Sequence, residues 1–449
     1  MLDDRRSEYT VRRIRFFGGI HSRDNKELTN HLPLEKLDLP SHLFIPLQQH
    51  TGNAATPIIN KGDEIVCGDL IARADGKMSA NIHSPASGKV IAIKPVYNQQ
   101  ELSHEVVTIL VNRESIESHF LSPLNIKNLK AQDIIERITE AGIVGLGGAA
   151  FPTAVKLSPP KDAGVDTLIL NGCECEPYLT RDYRLMIEKP FEILSGMQLM
   201  MNAAGIDRGV IGIEDNKPLA IQLMNEAVKE NPNIQIFTVK TRYPQGAEKL
   251  LIYAATGRKV PPGKLPFDVG VIVQNIATAF TAYEAITLGI PQMTAFVTVA
   301  GKGIRQPKNL QIPVGTPIRH VIDACGGITE DAKRIIAGGP MMGSALFDLD
   351  TPITKATSGI LALTQKELKI PEETSCLKCG KCLEACPMYL VPNRLVRNVQ
   401  TDRIEEAVQM GISTCMECGC CSYVCPANIP LVQWLRLGKQ KCSLISSKS

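Results

Sequence analysis

Eight cysteines near the C-terminal end carry the most chemistry. Cys376, Cys379, Cys382 and Cys386 are spaced C-x-x-C-x-x-C-x-x-x-C and followed by Pro387, and Cys415, Cys418, Cys421 and Cys425 repeat that spacing before Pro426. This is the ligand pattern of a pair of [4Fe–4S] clusters, which carry single electrons. A short loop wraps three corners of a cubane, so the fourth ligand comes from farther away. In two-cluster proteins the cysteine before the proline ligates the other cluster. Cys376, Cys379, Cys382 and Cys425 are therefore assigned to one cluster, and Cys415, Cys418, Cys421 and Cys386 to the other. Structural zinc typically uses two separated C-x-x-C pairs, and disulfides belong to exported chains. Two full quartets fit neither. Cys420 lies off register and reads as a packed thiol, while Cys67, Cys173, Cys175, Cys325 and Cys442 fit no quartet.

A second constellation is rich in glycine. Gly142, Gly145, Gly147 and Gly148 precede Phe151-Pro152-Thr153, and Lys156 follows. Glycines let backbone N–H groups approach a phosphate, a helix start adds its dipole, and a lysine neutralises charge. A glycine loop alone is often a tight turn; the full string GLGGAAFPTAVK is more specific. Asn171-Gly172-Cys173-Glu174-Cys175-Glu176-Pro177 follows an apolar run, placing an amide and acids at a strand's carboxyl end. Such groups suit an isoalloxazine edge or a ribose, and equally a capped turn. Gln274-Asn275 with Thr278 poses the same choice between ligand and helix cap. Three such loops at corresponding positions of one sheet favour a nucleotide site. No acid–base triad is visible.

The elements that must position these groups follow from pattern. A length of 449 residues suggests roughly three or four domains. Hydrophobic residues at 44% and charged residues at 21% are ordinary for a globular chain, and a net charge of +3 does not argue for nucleic acid. The start lacks the apolar core of a signal peptide, and no apolar window is long enough to span a bilayer. With 14 cysteines and no export signal, a cytosolic setting is expected. Both ends are basic: Arg5, Arg6, Arg12, Arg13 and Arg15 at the start, and Arg436, Lys439, Lys441 and Lys448 after Cys425 with no acid among them. They read as solvated, mobile termini or as a docking surface for an acidic partner or anionic leaflet.

Residues 43–93 alternate short β-branched runs with turns at Gly62-Asp63 and Gly68-Asp69. The segment resembles the lipoyl and biotinyl carrier fold, with Lys77 near the modified hairpin position. Gly76 stands where an acid usually precedes that lysine, which favours an unmodified barrel. Residues 125–295 alternate strands, expected at 167–171, 209–214, 234–239 and 269–274, with helices such as 219–229. That alternation implies a largely parallel sheet, with ligands at the carboxyl ends of its strands. Residues 296–365 read strand, turn, strand and a helix after Thr316-Pro317, a β-grasp-like module. Between the quartets, Ile404, Val408 and Ile412 fall at helical spacing, which predicts an α-helical ferredoxin.

Taken together, GGIHSRDNKELT, GLGGAAFPTAVKLSPPKD, NGCECEPYLTRDYRLM, GIEDNKP and both quartets resemble the RnfC subunit of the Rnf ion-translocating electron transport complex over nearly the whole chain. That family is similar in turn to the flavin-bearing subunit of respiratory complex I. The resemblance implies a multidomain α/β chain: an N-terminal arm (1–30), a barrel-sandwich hybrid domain (31–115), a Rossmann-like FMN and NAD domain (125–295), a soluble-ligand-binding β-grasp (296–365), and a helical ferredoxin with a basic tail (366–449). It implies FMN held by Gly145, Gly147, Gly148 and Lys156, with Asn171, Glu174, Gln274, Asn275 and Thr278 near the ring or phosphate. Phe151 matches an aromatic beside the nicotinamide, and Tyr243, Gly246 and Glu248 match a loop flanking the nucleotide. Cys173, Ala247, Ala150 and Gln274 depart from the complex I pattern.

The implied function is electron transfer between NAD(H), FMN and two [4Fe–4S] clusters, coupled to ferredoxin. It is set on the cytoplasmic face of the cell (inner) membrane, beside membrane and ferredoxin-like subunits and without a transmembrane segment of its own. Two rivals stay open: a cobalamin reductase of the microcompartment type, and a non-enzymatic iron–sulfur relay or scaffold.

Overall fold

Strong alternation between residues 125 and 295 folds as a four-stranded, wholly parallel sheet in the order Ile234–Val239, Arg208–Glu214, Thr167–Gly172, Val271–Asn275. The structure, a computed structural model, describes residues 16–97, 103–368 and 372–446. Along the central strand Leu168 and Leu170 join the larger helical core, while Ile169 joins a smaller core on the other face with Leu251 and Ala255. Burial on both faces explains why these strands are near-continuous apolar runs rather than alternating ones. The last strand starts at Val271 rather than 269, because Pro266–Val269 forms a 3₁₀ turn closed by Gly270 at φ 75°. The expected helix at 219–229 runs Pro218–Val228, with the proline at its first position, where its missing N–H is harmless.

Helix Pro190–Ala204 crosses helix Ile276–Tyr283 at Gly196, where a Cβ would lie 1.8 Å from the Ala279 carbonyl oxygen. Only glycine permits this approach, and it fixes the helix that starts at the end of strand Val271–Asn275.

The barrel-sandwich is built from strands His42–Pro46, Ser103–Val111, Gly88–Tyr97 and Glu64–Ile65 facing Thr56–Pro57, Leu70–Arg73 and Ile82–His83. Gly62 and Gly68 take φ of 104° and 95° at the expected turns, and Asp63 and Asp69 accept from the amides of Asn60 and Val66. Lys77 is exposed on the turn between Leu70–Arg73 and Ile82–His83. The next module is larger than the strand–turn–strand–helix pattern suggests. Thr294–Ala300, Lys308–Pro313, Gly359–Thr364, Ala332–Ala337 and Ser344–Ala345 form a mixed sheet, which Leu34–Lys36, just after the N-terminal arm, extends by pairing in parallel with Lys308–Pro313.

The ferredoxin region is helical: Lys381–Glu384, Pro392–Gln400, Ile404–Gln409, Cys420–Tyr423 and Leu431–Ser446. Ile404 and Ile412 are buried, but Val408 is 48% exposed. Helix Ile404–Gln409 stops at Gly411 (φ 81°), so Ala407 rather than Val408 faces the core. In the described part of the basic tail the cations are paired within the chain. Arg436 and Lys439 pair with Glu417, and Lys441 pairs with Asp402. Lys448 and Arg5 to Arg15 lie outside the described residues.

Candidate functional site: a nucleotide cradle beside two cysteine cavities

The glycine loop closes as a narrow hairpin. Gly145 N donates to Phe151 O at 3.0 Å and Thr153 N to Ile143 O at 2.9 Å. Leu146 is gripped from both sides: its amide donates to the Thr278 hydroxyl at 3.0 Å, and its carbonyl accepts from the Arg181 guanidinium. Thr278 sits one residue past Ala277, whose amide the Asn275 side chain caps at 2.8 Å. The same Asn275 side chain donates to Asp182 at 2.7 Å and lies against Gly147, where a Cβ would come within 2.8 Å of its nitrogen. Residues 147–149 are exposed at the tip, their amides make no backbone hydrogen bond among the described residues, and a Cβ on Gly148 would meet nothing within 4 Å. Lys156 points back at the strand ends, donating to Glu248 at 2.8 Å and to Val273 O at 3.2 Å.

The acidic loop lies beside it. Asn171 donates to Gly246 O at 2.7 Å and accepts from Cys173 N at 3.2 Å. Glu174 adopts φ 45°, and its carboxylate accepts from the amides of Asp182 and Tyr183, capping helix Arg181–Glu188. Glu176 accepts from the amides of Met341 and Met342, and burial pushes its carboxyl up to about 7 against those two donors. Two buried lysines hold the loop from behind. Lys26 donates to the carbonyls of Glu174, Glu176 and Leu179. Lys217 donates to Cys173 O at 2.6 Å and to Glu214 at 3.1 Å. Burial drives the Lys26 ammonium down; at Lys217 burial is again the largest influence, but the Glu214 and Glu174 carboxylates together outweigh it and push the ammonium up.

The structure thus brings Gly145, Gly147, Gly148, Phe151, Lys156, Asn171, Glu174, Gln274, Asn275 and Thr278 to one end of the parallel sheet. Several are bound to protein partners there: Glu174 and Asn275 as caps, Thr278 as the support of Leu146. Lys26, Lys217, Arg181 and Asp182 lie within the strings that carry the family resemblance, but neither their types nor their spacing gave them a role, since charges in polar segments look like surface. The residues present fit a phosphate-bearing flavin. Among the described residues, Gln274 Nε2 and Thr153 Oγ1 are buried without a hydrogen-bond partner, the state a bound polar group would relieve.

The eight quartet cysteines divide between two cavities. One collects Cys376, Cys379, Cys382 and Cys425; the other collects Cys386, Cys415, Cys418 and Cys421, with Cys420 on its wall. No three cysteine, histidine or acidic side chains converge as for a single metal ion among the described residues. The two quartets share one backbone. Lys378 and Glu417 take φ of 53° and 57°, Gly380 and Gly419 take 79° and 76°, and each glycine starts a one-turn helix bearing the third cysteine. After the prolines, Tyr389 and Asn428 repeat the left-handed turn at 57° and 54°. The second cavity abuts the α/β domain. Tyr243 O–H donates to Cys418 O at 2.8 Å, and Tyr243 packs with Ile20, Ala385 and Cys420. Tyr243, expected beside the nucleotide, therefore reaches the cysteine module.

A parallel α/β nucleotide domain joined to a paired-cubane module defines a flavin and iron–sulfur electron-transfer protein. Family models agree domain by domain: "RnfC Barrel sandwich hybrid domain" at residues 14–115, "Nuo51 FMN-binding domain" at 138–284, "SLBB domain" at 296–345 and "4Fe-4S dicluster domain" at 372–429. The chain is 44% identical over 393 residues to a subunit of the proton-translocating ferredoxin:NAD(+) oxidoreductase complex of Clostridium ljungdahlii, covering 87% of this chain and 86% of that one. It is 43% identical over 431 residues to a subunit of the ion-translocating oxidoreductase complex of Rhodobacter capsulatus, covering 95% and 83%. To the Na(+)-translocating counterpart of Acetobacterium woodii it is 40% identical over 380 residues, covering 84% and 85%. The chain belongs to this family, the RnfC subunits of the ion-translocating ferredoxin:NAD(+) oxidoreductase complexes. Its cofactors are FMN and [4Fe–4S] clusters. Among the described residues no helix is long and apolar enough to cross a membrane.

Proposed function

We propose that FMN sits at the strand ends between residues 145–156, 171–176 and 274–278, and that electrons pass between it and a partner through the Cys386, Cys415, Cys418, Cys421 cluster and then the Cys376, Cys379, Cys382, Cys425 cluster. The observation that carries this order is the contact of Tyr243 with Cys418 O, which sets one cavity against the nucleotide domain. Cys376, Cys379 and Leu377 are exposed, leaving the other cavity open to a partner. When bound, FMN would supply the exchange between the two electrons of one hydride from NAD(H) and single electrons.

The chain's own residues bind and orient. The amides of Gly147 and Gly148 and the Lys156 ammonium serve the phosphate, while Gly145 shapes the loop around it by closing the hairpin on Phe151 O. Asn171, Gln274 and Asn275 present amides at the ring, while Glu174 and Thr278 keep the two loops in shape. Phe151 covers the nicotinamide side. The partners are NAD(H) and the other subunits of the complex, membrane and ferredoxin-like ones included. The chain works as a peripheral subunit on the cytoplasmic face of the cell membrane. The relatives' names and the open cluster rim support that placement.

The test is anaerobic. With FMN and both clusters reconstituted, NADH should bleach the flavin absorbance and then the iron–sulfur bands. No bleaching with all three cofactors shown to be bound would overturn NADH oxidation by this chain. Lys156→Met should weaken FMN binding about tenfold, the scale of a charge-assisted hydrogen bond, as read by flavin fluorescence quenching.

A further inference from the structure

The glycine loop is held from outside its own domain at both ends. At its end, Thr51 of the barrel-sandwich donates its hydroxyl to Ala149 O at 2.5 Å and its amide to Ala150 O at 3.3 Å. At its start, Gly142 O accepts from Lys355 Nζ at 2.7 Å, and Lys355 also donates to Asn81 O of the barrel at 2.9 Å. Asn81 in turn donates to Glu140 O at 3.1 Å, just before the loop. Between these anchors, Ala80 of the barrel packs with Val144 and Ala150 of the loop and with Ala356. Gly142 takes φ 63°, and a Cβ there would lie 2.1 Å from Asn81 O.

Two features show that this junction is more than contact. Lys355 is 1% exposed and its partners are backbone carbonyls, not a carboxylate. Burying an ammonium without a counter-charge is costly, so the fold tolerates it where it joins three modules. The carbonyls matter as much. In a trans peptide the C=O and the next N–H point in opposite directions. Anchoring the carbonyls of Ala149 and Ala150 to Thr51 turns the amides of Ala150 and Phe151 away from the barrel, and among the described residues neither amide makes a backbone hydrogen bond.

We propose that the barrel-sandwich and β-grasp modules form a two-point clamp on the glycine loop, with Thr51 and Lys355 as positioning residues that aim its amides at FMN. The proposal rests on the flavin reading above and gives the barrel a role that its carrier-like fold does not suggest. Neither residue touches the reacting atoms; each acts through the loop.

The test compares full-length wild type with Thr51→Val, which keeps the shape and removes the hydroxyl, with Thr51→Ser, which keeps it, and with Lys355→Met. Thr51 is exposed, so its variants are expected to fold. FMN Kd is read by fluorescence quenching, and amide hydrogen exchange at residues 143–151 is read in flavin-free protein. Thr51→Val should raise Kd about three- to tenfold, the scale of one lost hydrogen bond, and speed exchange in the loop. Tm and iron content should match wild type, and Thr51→Ser should restore both readouts. Unchanged Kd in Thr51→Val and Lys355→Met, whatever their Tm, overturns the clamp alone. Failure of wild type to bind FMN overturns the flavin reading and the clamp with it.

Discussion

Cys386 and Cys425 each lie beside the other quartet's cavity, so paired substitutions can show which cysteines share a cluster. Cys376→Ser with Cys425→Ser should remove one cluster and leave about half the iron, whereas Cys415→Ser with Cys425→Ser should remove both. Iron and sulfide analysis with low-temperature EPR reads the result; the opposite pattern would mean that each quartet binds its own cluster. These eight residues were legible from spacing because a cubane demands it. The lysines were not. Lys26, Lys217 and Lys355 are each at most 7% exposed, yet a lone lysine carries no periodic signal, and only the fold reveals its partners, which are backbone carbonyls and, for Lys217, also the Glu214 carboxylate. Lys355 should also mark the pH profile. Burial lowers its ammonium from 10.5 to about 7, so the folded chain gives up that proton more readily than the unfolded one. Its stabilising contribution is full above 10.5, is lost as pH falls to 7, and changes no further below. Between pH 9 and pH 7 the wild type should therefore lose stability relative to Lys355→Met, on the order of a few kcal/mol, in matched urea titrations. That window avoids His83, whose imidazole burial and the Lys355 charge hold neutral down to about 3.

Among elements, the helix starting at Ile276 has the widest reach. Its cap residue Asn275 touches Gly147, its Thr278 supports Leu146, and its far side leans on Gly196. Gly196→Ala would drive a methyl into the Ala279 carbonyl, so the helix must shift and the loop with it. A loss of about 1–3 kcal/mol in urea unfolding should come with weaker FMN binding in the fluorescence assay, while wild-type stability would sink the argument. The parallel strands and most helices were readable because two-sided burial makes long apolar runs bounded by glycine and proline. Short elements were harder. Val408 fits a helical period but the helix ends too soon to bury it, and strand Leu34–Lys36 is three residues whose partner lies in another module. No local pattern encodes that pairing.

Across the whole molecule, the N-terminal arm laces the modules together. Gly19 N donates to Ala385 O, Ile20 pairs with Tyr243, Tyr178 N donates to Asp24 O, and directly after the arm Leu34–Lys36 joins the mixed sheet. Gly18 is where the arm presses on the cysteine module, with φ 75° and a Cβ position 2.7 Å from the Cys386 carbonyl carbon. Gly18→Ala should separate the ferredoxin module from the α/β domain. Stopped-flow absorbance should then show flavin bleaching by NADH at the wild-type rate and cluster reduction slowed about tenfold or more; equal rates for both steps would refute a role for the arm in alignment. The unequal covering of the two cavities has one more consequence. Cys376 and Cys379 are exposed, whereas Cys386, Cys418 and Cys421 are buried. The rim that admits a partner protein admits dioxygen equally well. Air should therefore dismantle the outer cubane first, halving the iron while NADH still bleaches the flavin, so a chain that tests as an active NADH oxidase can already be disconnected from everything downstream.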